Sequence, residues 1–417
     1  MYIRIRGAER STVTTSTPVT TRLLIILGVP AIFYISGLVT LSQPLLAGTR
    51  QEPVRVENGF EGSLADPPTI VERVRIEDPP TGEALLYDPK YFLFSAQGDV
   101  YIPDEQAYTI FLFDSEGHLK RRIGREGNGP GEFQCPSEVH ISWDGELVVV
   151  DPGTQRINYF STDGEFLRSK NIQVTRGNRR TRIRILDADR ERIPTNEGFY
   201  IHRCMFGPGP GVNELVQSGA LPSLRLLEII DDQGESVMEF GDIYPHEDDW
   251  VETILNRMRW DYRDGLVVVA FRHRNEIHVY ELPNTQPALI ITRRTAFRPN
   301  PNPRMEERIE ATDPEGGQTI RMITIADTIS LDVALDHAGR IWVITSLLNQ
   351  EETWERMETG DFTDMMRLEV YSPGGELLAG ITLPEPATRL AFDPSGHLWL
   401  LDNVYTLSAR RYEVREP

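Results

Sequence analysis

The chain has 417 residues, 40% of them hydrophobic and 25% charged, and its 43 Lys and Arg against 63 Asp and Glu give a net charge of −20. That excess argues against a phosphate backbone or anionic lipid headgroups as the main partner, because both need a positive footprint. It suits cationic protein surfaces, divalent ions or plain solubility.

Residues 1–21 carry Arg4, Arg6 and Arg10 against a single Glu9, and Arg22 follows directly. Next, residues 23–41 form an apolar run without a charge. At about 1.5 Å per residue it spans a hydrocarbon layer of roughly 30 Å. The spacing predicts a cytoplasmic tail over 1–21 and one transmembrane helix, a signal anchor, over 22–42. By the positive-inside rule the rest lies outside the cytoplasm, as a periplasmic domain on the inner membrane. A cleaved signal peptide is the competing reading, but its apolar region is usually shorter and Leu45 stands where a small residue is wanted before Ala47. Beyond residue 47 the charge is near −23. Residues 43–68, polar with scattered Gly and Pro, read as a linker.

From residue 69 onward a pattern repeats. A turn with Gly precedes a short run of β-branched or aromatic residues, the mark of hairpins in an all-β protein. The turn glycines are Gly98, Gly145, Gly198, Gly265, Gly339 and Gly396, spaced 47 to 74 residues apart. A second turn, at Gly117, Gly164, Gly234 and Gly375, marks an outer hairpin in four copies. Units of this size cannot each close a core alone, so the recurrence predicts an all-β, six-bladed β-propeller over residues 69–417. The last copy supplies only three strands, ending near residues 411–414. Residues 69–76, TIVERVRI, alternate and are the expected fourth strand, since an edge would otherwise be exposed. Excess length falls in four insertions: Arg-rich 176–192, a short helix expected within 244–260, Pro-rich 297–317 and acidic 349–364.

In the second copy Gly127, Gly129, Gly131 and Phe133 precede Asp144-Gly145, then Asp151 and the strand Arg156-Ile157-Asn158-Tyr159-Phe160. This order resembles bacterial NHL-repeat propellers, of the NHL/TolB-like kind, closely over residues 94–170 and by pattern elsewhere. The resemblance implies the fold; propellers of this kind serve many roles.

Chemistry is sparse in the sequence. Asp104, Asp151 and Asp402 occupy equivalent repeat positions, which fits turn capping better than a unique site. His140, His202, His273, His278 and His337 are the channel candidates, and a separation of five positions puts His273 and His278 on opposite faces if they share a strand. No H-E-x-x-H, C-x-x-C, G-x-S-x-G or phosphate-loop pattern occurs. No cofactor is expected. Lactonase-like propellers hold a divalent cation with carboxylates and amides from several blades; Glu138, Asp151, Glu197 and Asn403 fit such roles only by type. Cys135 and Cys204 would join neighbouring blades if bridged; two separate thiols are the alternative.

The insertions carry more. Arg179, Arg180, Arg182 and Arg184 form a cationic cluster suited to bidentate carboxylate contacts, and Trp354 and Phe362 sit among charges like interface anchors. A solvated loop and a surface helix are the plainer readings of these two segments. Trp260, Trp342 and Trp399 would stack on a sugar-like ligand if they faced the channel, although equivalent repeat positions make Trp342 and Trp399 inter-blade core. The leading expectation is a membrane-anchored, protein-binding scaffold or accessory subunit on the outer face of a larger membrane complex. A metal-dependent hydrolase or lyase at the channel mouth is the alternative.

Overall fold

The structure is a computed structural model that describes residues 52–62, 67–77, 85–136, 138–142, 145–171, 193–194, 200–203, 225–230, 236–312 and 318–416. Among them, six sheets follow one another along the chain as blades. Blade 1 is β3 (Leu93–Phe94), β4 (Val100–Asp104), β5 (Thr109–Phe113) and β6 (Leu119–Ile123). Blade 2 is β7 (Glu138–Ile141), β8 (Leu147–Asp151), β9 (Arg156–Phe160) and β10 (Phe166–Asn171). Blade 3 is β11 (Ile193–Pro194), β12 (Tyr200–Arg203), β13 (Arg225–Ile230) and β14 (Ser236–Asp242). Blade 4 is β15 (Met258–Arg263), β16 (Leu266–Phe271), β17 (Glu276–Glu281) and β18 (Leu289–Arg293). Blade 5 is β21 (Ser330–Leu335), β22 (Ile341–Ser346), β23 (Met366–Tyr371) and β24 (Leu377–Leu383). Blade 6 takes β25 (Arg389–Phe392), β26 (Leu398–Asp402) and β27 (Ser408–Arg415) from its own repeat.

The fourth strand of blade 6 is β2 (Thr69–Ile76), antiparallel to β27 with Ile70 opposite Val414 and Ile76 opposite Ala409. Ring closure therefore joins the two ends of the propeller as the alternation over 69–76 predicts. Val74 and Ile76 reach the core shared with Trp399, Leu401, Ile102 and Phe111 of blades 6 and 1. Blade 6 has no outer hairpin turn in its sequence because its outer strand comes from elsewhere.

The expected linker over 43–68 is not all linker. Within it β1 (Val54–Asn58) adds to blade 4 in parallel with β18, Val54 beside Leu289 and Asn58 beside Arg293. Five residues with no buried side chain gave the sequence little periodic signal. What holds the segment is polar: the Asn58 amide donates to Gly375 O and its carbonyl accepts from Leu377 N, both at 2.8 Å, tying it to blade 5. Phe60 then stacks on the Arg367 guanidinium, 4.1 Å from its ring centre. That guanidinium lies flat over Gly380, where any Cβ would collide with it at 1.8 Å. Residues 54–62 thus run as a strap across the outer strands of blades 4 and 5.

Side-chain cores lie between blades rather than within them. Trp342 and Trp399 are fully buried in the blade 5–6 and 6–1 cores, and each indole donates to an aspartate six residues earlier, Asp336 at 2.9 Å and Asp393 at 3.1 Å. Both aspartates also cap their own turns, Asp336 accepting from Ala338 N and Arg340 N, Asp393 from Ser395 N and His397 N. The repeated D-x-x-G-x-x-W of residues 336–342 and 393–399 is one unit. Between blades 4 and 5 the fully buried Arg293 pairs with Glu369 at 2.9 Å, and the Tyr371 hydroxyl donates to the same carboxylate.

The described insertions belong to one rim, where the second strands end and the first strands begin. Before β15 lies α1 (Asp249–Leu255), capped by Asp248 as the acidic run at 246–249 predicts. A ribbon of β19 (Arg304–Thr312) and β20 (Gln318–Ile325) fills the Pro-rich insertion. After β22 stands α2 (Gln350–Thr359), with a capping box between Asn349 and Glu352 and a left-handed C-cap at Gly360. The Arg-rich segment 176–192 lies outside the described residues.

Deleting residues 69–76 should cost far more than deleting 52–62. The first removes two buried aliphatic side chains, worth roughly 2–5 kcal/mol each, and bares the edge of β27; the second removes a strand with none buried. Urea unfolding of the two deletions measures this, and equal losses would contradict the closure argument.

Candidate functional site

The inner strands of blades 1, 4, 5 and 6 enclose a cavity of about 480 Å3, lined by Phe92, Phe94, Asp261, Asp332, His337 and Arg389 among others. Its carboxylates are already engaged. Asp261 of blade 4 accepts from Leu335 N of blade 5 at 2.8 Å, and Asp332 of blade 5 accepts from Leu390 N of blade 6 at 2.9 Å. Each is an inner-strand aspartate bonded to the next blade's inner strand. Arg263 adds a bond to Leu335 O. These acids hold the channel wall together.

The strand-end acids act as the repeat position predicts. Asp104 accepts from Tyr87 N, Asp88 N and Ala107 N. Asp151 accepts from Gln134 N, Cys135 N and Gly153 N, and Asp402 from Val404 N, Tyr405 N and Thr406 N. All three are fully buried. Three or four backbone donors around one carboxylate leave little capacity for a metal. Among the described residues no three His, Cys, Asp or Glu side chains gather in a way that could hold an ion. Of the carboxylates and amides that fit a metal site by type, Asn403 accepts from Thr388 Oγ1, Glu197 lies outside the described residues, and Asp151 is capped as above.

The two histidines of blade 4 diverge, but not by strand alternation: His273 lies in the turn between β16 and β17, and only His278 is on a strand. His278 packs edge-on against Phe271 at 4.9 Å and meets Glu276, whose carboxyl is drawn down to about 2, chiefly by the hydrogen bond from His278. His273 turns the other way and donates from Nδ1 to Asp327 O at 2.8 Å. Burial pulls its pKa down to about 3, with Arg272 and Arg257 reinforcing the shift and the Asp327 carbonyl opposing it. His140 is buried in blade 2 and His202 belongs to β12 of blade 3.

Cys135 is a free thiol that donates to Glu105 Oε1 at 3.3 Å, and burial followed by the Glu105 contact pushes it up to about 11. A thiol so protected is a poor nucleophile. Cys204 lies outside the described residues.

Of the expected interface anchors, Trp354 on α2 is 44% exposed. Phe362 is half-buried, 5.1 Å from the Tyr405 ring and against the blade 5–6 core, so it seats the α2 insertion on the ring. Arg179, Arg180, Arg182 and Arg184 lie outside the described residues, but the strands flanking their segment, β10 and β11, end and begin on the insertion-bearing rim. Trp342 and Trp399 are inter-blade core and unavailable for stacking. Trp260 does line the channel, although 4% exposed.

Six sheets around a channel, closed by an N-terminal strand, define a six-bladed β-propeller. The chain matches, over residues 83–184, a family described as a 6-bladed beta-propeller. In fold it is similar to a member of the DUF4221 family from Bacteroides vulgatus, at 12% identity over 84% of this chain and 99% of that one, TM-score 0.51. A protein from Bacteroides fragilis is similar at 8% identity over 87% and 100%, TM-score 0.50. A gluconolactonase from Xanthomonas campestris, 11% identical over 85% and 97%, has a TM-score of 0.41, too distant to bear on chemistry. No curated protein matches the chain.

The low pKa of His273 makes stability fall in acid. The unfolded imidazole takes up its proton near 6.5 and the folded one only near 3, so the unfolded state gains first as pH falls. This contribution is whole above pH 6.5 and shrinks by about 1.4 kcal/mol per pH unit below it. A His273→Asn variant should lose about 2 kcal/mol less than the parent between pH 7 and 5. Parallel slopes in urea unfolding at the two pH values would refute this.

Proposed function

We propose that this chain is a membrane-anchored extracytoplasmic propeller that docks a protein through its insertion-bearing rim, as an accessory subunit on the outer face of a larger membrane complex. The observation that carries the docking surface is where exposed apolar side chains fall. Tyr87, Tyr244, Trp250, Trp354, Met357 and Val404 are each 43–53% exposed, and all six belong to that rim. Tyr87 adjoins Asp104, Tyr244 and Trp250 flank α1, Trp354 and Met357 lie one turn apart on α2, and Val404 follows Asp402. Exposed aromatic residues and Met rimmed by charge are the composition of interface cores. The other exposed large apolar side chains, Val54, Leu119, Phe166, Leu167 and Val237, are scattered over outer strands.

The partner's chemistry follows from α2. Its ten residues carry Glu351, Glu352, Glu355 and Glu358 against Arg356, so the facing surface is basic with a pocket for an indole. The Arg-rich segment 176–192 carries the opposite sign, suited to an acidic patch on the same partner. Anchoring rests on the apolar run 23–41, which lies outside the described residues; among those described, no helix is long and apolar enough to cross a membrane.

Gentle detergent extraction followed by size measurement tests the reading. The parent should co-migrate with one stoichiometric partner, and Trp354→Ala with Met357→Ala should release it, with a loss of affinity of about 30-fold or more for a central aromatic anchor. The melting temperature should hardly move, because neither side chain is buried. Replacing Arg179, Arg180, Arg182 and Arg184 by Ser should weaken the residual association further, and more so in added salt. A monodisperse parent with no companion would end the accessory-subunit reading.

A further inference from the structure

The channel cavity of about 480 Å3 opens on the rim opposite the insertions. Phe94 ends β3 and Arg263 ends β15, while His337 and Pro394 stand in the turns after β21 and β25, so its mouth lies where first strands end. In a ring of six, blade 1 faces blade 4 across the channel. The two sides differ in chemistry. Toward blades 6 and 1 the wall is aromatic: Phe92 and Phe94 stack at 5.9 Å with 24° between their planes, and Phe392 of blade 6 continues the surface. Toward blades 4 and 5 it carries Asp261, Arg263, Asp332 and His337.

Most of the polar lining is held by the wall itself. Asp261 and Asp332 accept from backbone N–H groups of the next blade, and Arg389 of blade 6 donates to Thr388 O. Arg263 and His337 are left over. Among the described residues Arg263 makes one hydrogen bond, from Nε to Leu335 O at 3.0 Å. That bond ties the half-buried guanidinium to the end of β21 and leaves both terminal Nη groups without an acceptor. His337, exposed on its turn, has no hydrogen-bond partner among the described residues. A guanidinium anchored through Nε and open at its Nη fork receives a carboxylate two bonds at a time.

We propose that the cavity binds a small aromatic carboxylate, its ring against Phe92, Phe94 and Phe392 and its carboxylate on the Nη groups of Arg263, with His337 beside it at the mouth. Both halves of the ligand follow from the lining. A purely apolar molecule would cover the guanidinium without pairing it, and a small inorganic anion would leave the aromatic wall wet. An apolar cavity of this size with a few convergent polar groups suits a small organic molecule. Because the mouth is on the rim away from the docking helices, the site does not rest on the docking reading.

Thermal unfolding of the full detergent-solubilised chain tests this with indole-3-acetate, its uncharged amide indole-3-acetamide, and acetate, each against sodium chloride at equal ionic strength. At about 100-fold over its dissociation constant indole-3-acetate should raise the melting temperature by several degrees. The amide should bind at least about tenfold more weakly, because it offers the fork one oxygen and no charge. Acetate at the same concentration should give no shift. Arg263→Gln should lower the affinity for indole-3-acetate by about tenfold or more, to the level of the amide, and change the affinity for the amide by less than about threefold. The comparison of acid with amide in the parent needs no variant, so it decides even if Arg263→Gln does not fold. A parent indifferent to indole-3-acetate, an amide that binds as well as the acid, acetate that shifts the melting temperature as much as the aromatic acid, or full affinity for the acid in Arg263→Gln would overturn the proposal.

Discussion

Everything in this molecule depends on one pairing between strands about 340 residues apart in sequence. Each blade presents an outer edge and two flat faces that only its neighbours can cover, so a ring open at one joint leaves two faces wet and an edge unpaired. The β2 and β27 pair removes that joint, and it does so with a register that delivers Val74 and Ile76 to the core beneath Trp399. The bonds from Asp261 and Asp332 to the next blade's inner strand carry the channel wall from blade 4 to blade 5 and on to blade 6. The cavity lined by blades 1, 4, 5 and 6 exists because the sixth blade meets the first.

Closure also explains how the charges are divided. Aspartates dominate the places where strands end and blades touch, because a carboxylate accepts several backbone N–H bonds at once and so satisfies donors that the sheet ladders leave over. Asp104, Asp151, Asp327, Asp336, Asp393 and Asp402 all do this. The acidity of the chain is in part architectural. Two consequences meet on one rim: apolar side chains stand out from the helices, and positive charge collects at the channel between them.

How much of this the sequence disclosed follows from what repeats. The turn glycines and the strand-end aspartates recur at matching positions, so blade number, closure and the capping role of Asp104, Asp151 and Asp402 were all legible. The D-x-x-G-x-x-W unit was equally repetitive, yet its aspartates escape a reading that follows only glycines and apolar runs. By contrast, β1 is short and exposed and is held by Asn58 and Phe60 against residues more than 300 positions away, which no local pattern reports. Arg257 and Arg259 flank the start of β15, Arg272 follows β16 and Arg389 opens β25, so only the ring brings those of blade 4 near that of blade 6. Phe362 has the composition of an anchor; that its ring is spent on Tyr405 is a fact of packing.

The strap over residues 54–62 has a mechanical meaning. A pull applied at residue 52 is met first by the β1 and β18 ladder, then by the Asn58 clamp and the Phe60 stack, and only afterwards by β2. Because β1 carries no buried side chain, it can peel away under load and lengthen the slack without opening the ring. The segment is placed as a sacrificial catch: it yields early, protects the closing strand from tension, and can reseat when the load is gone.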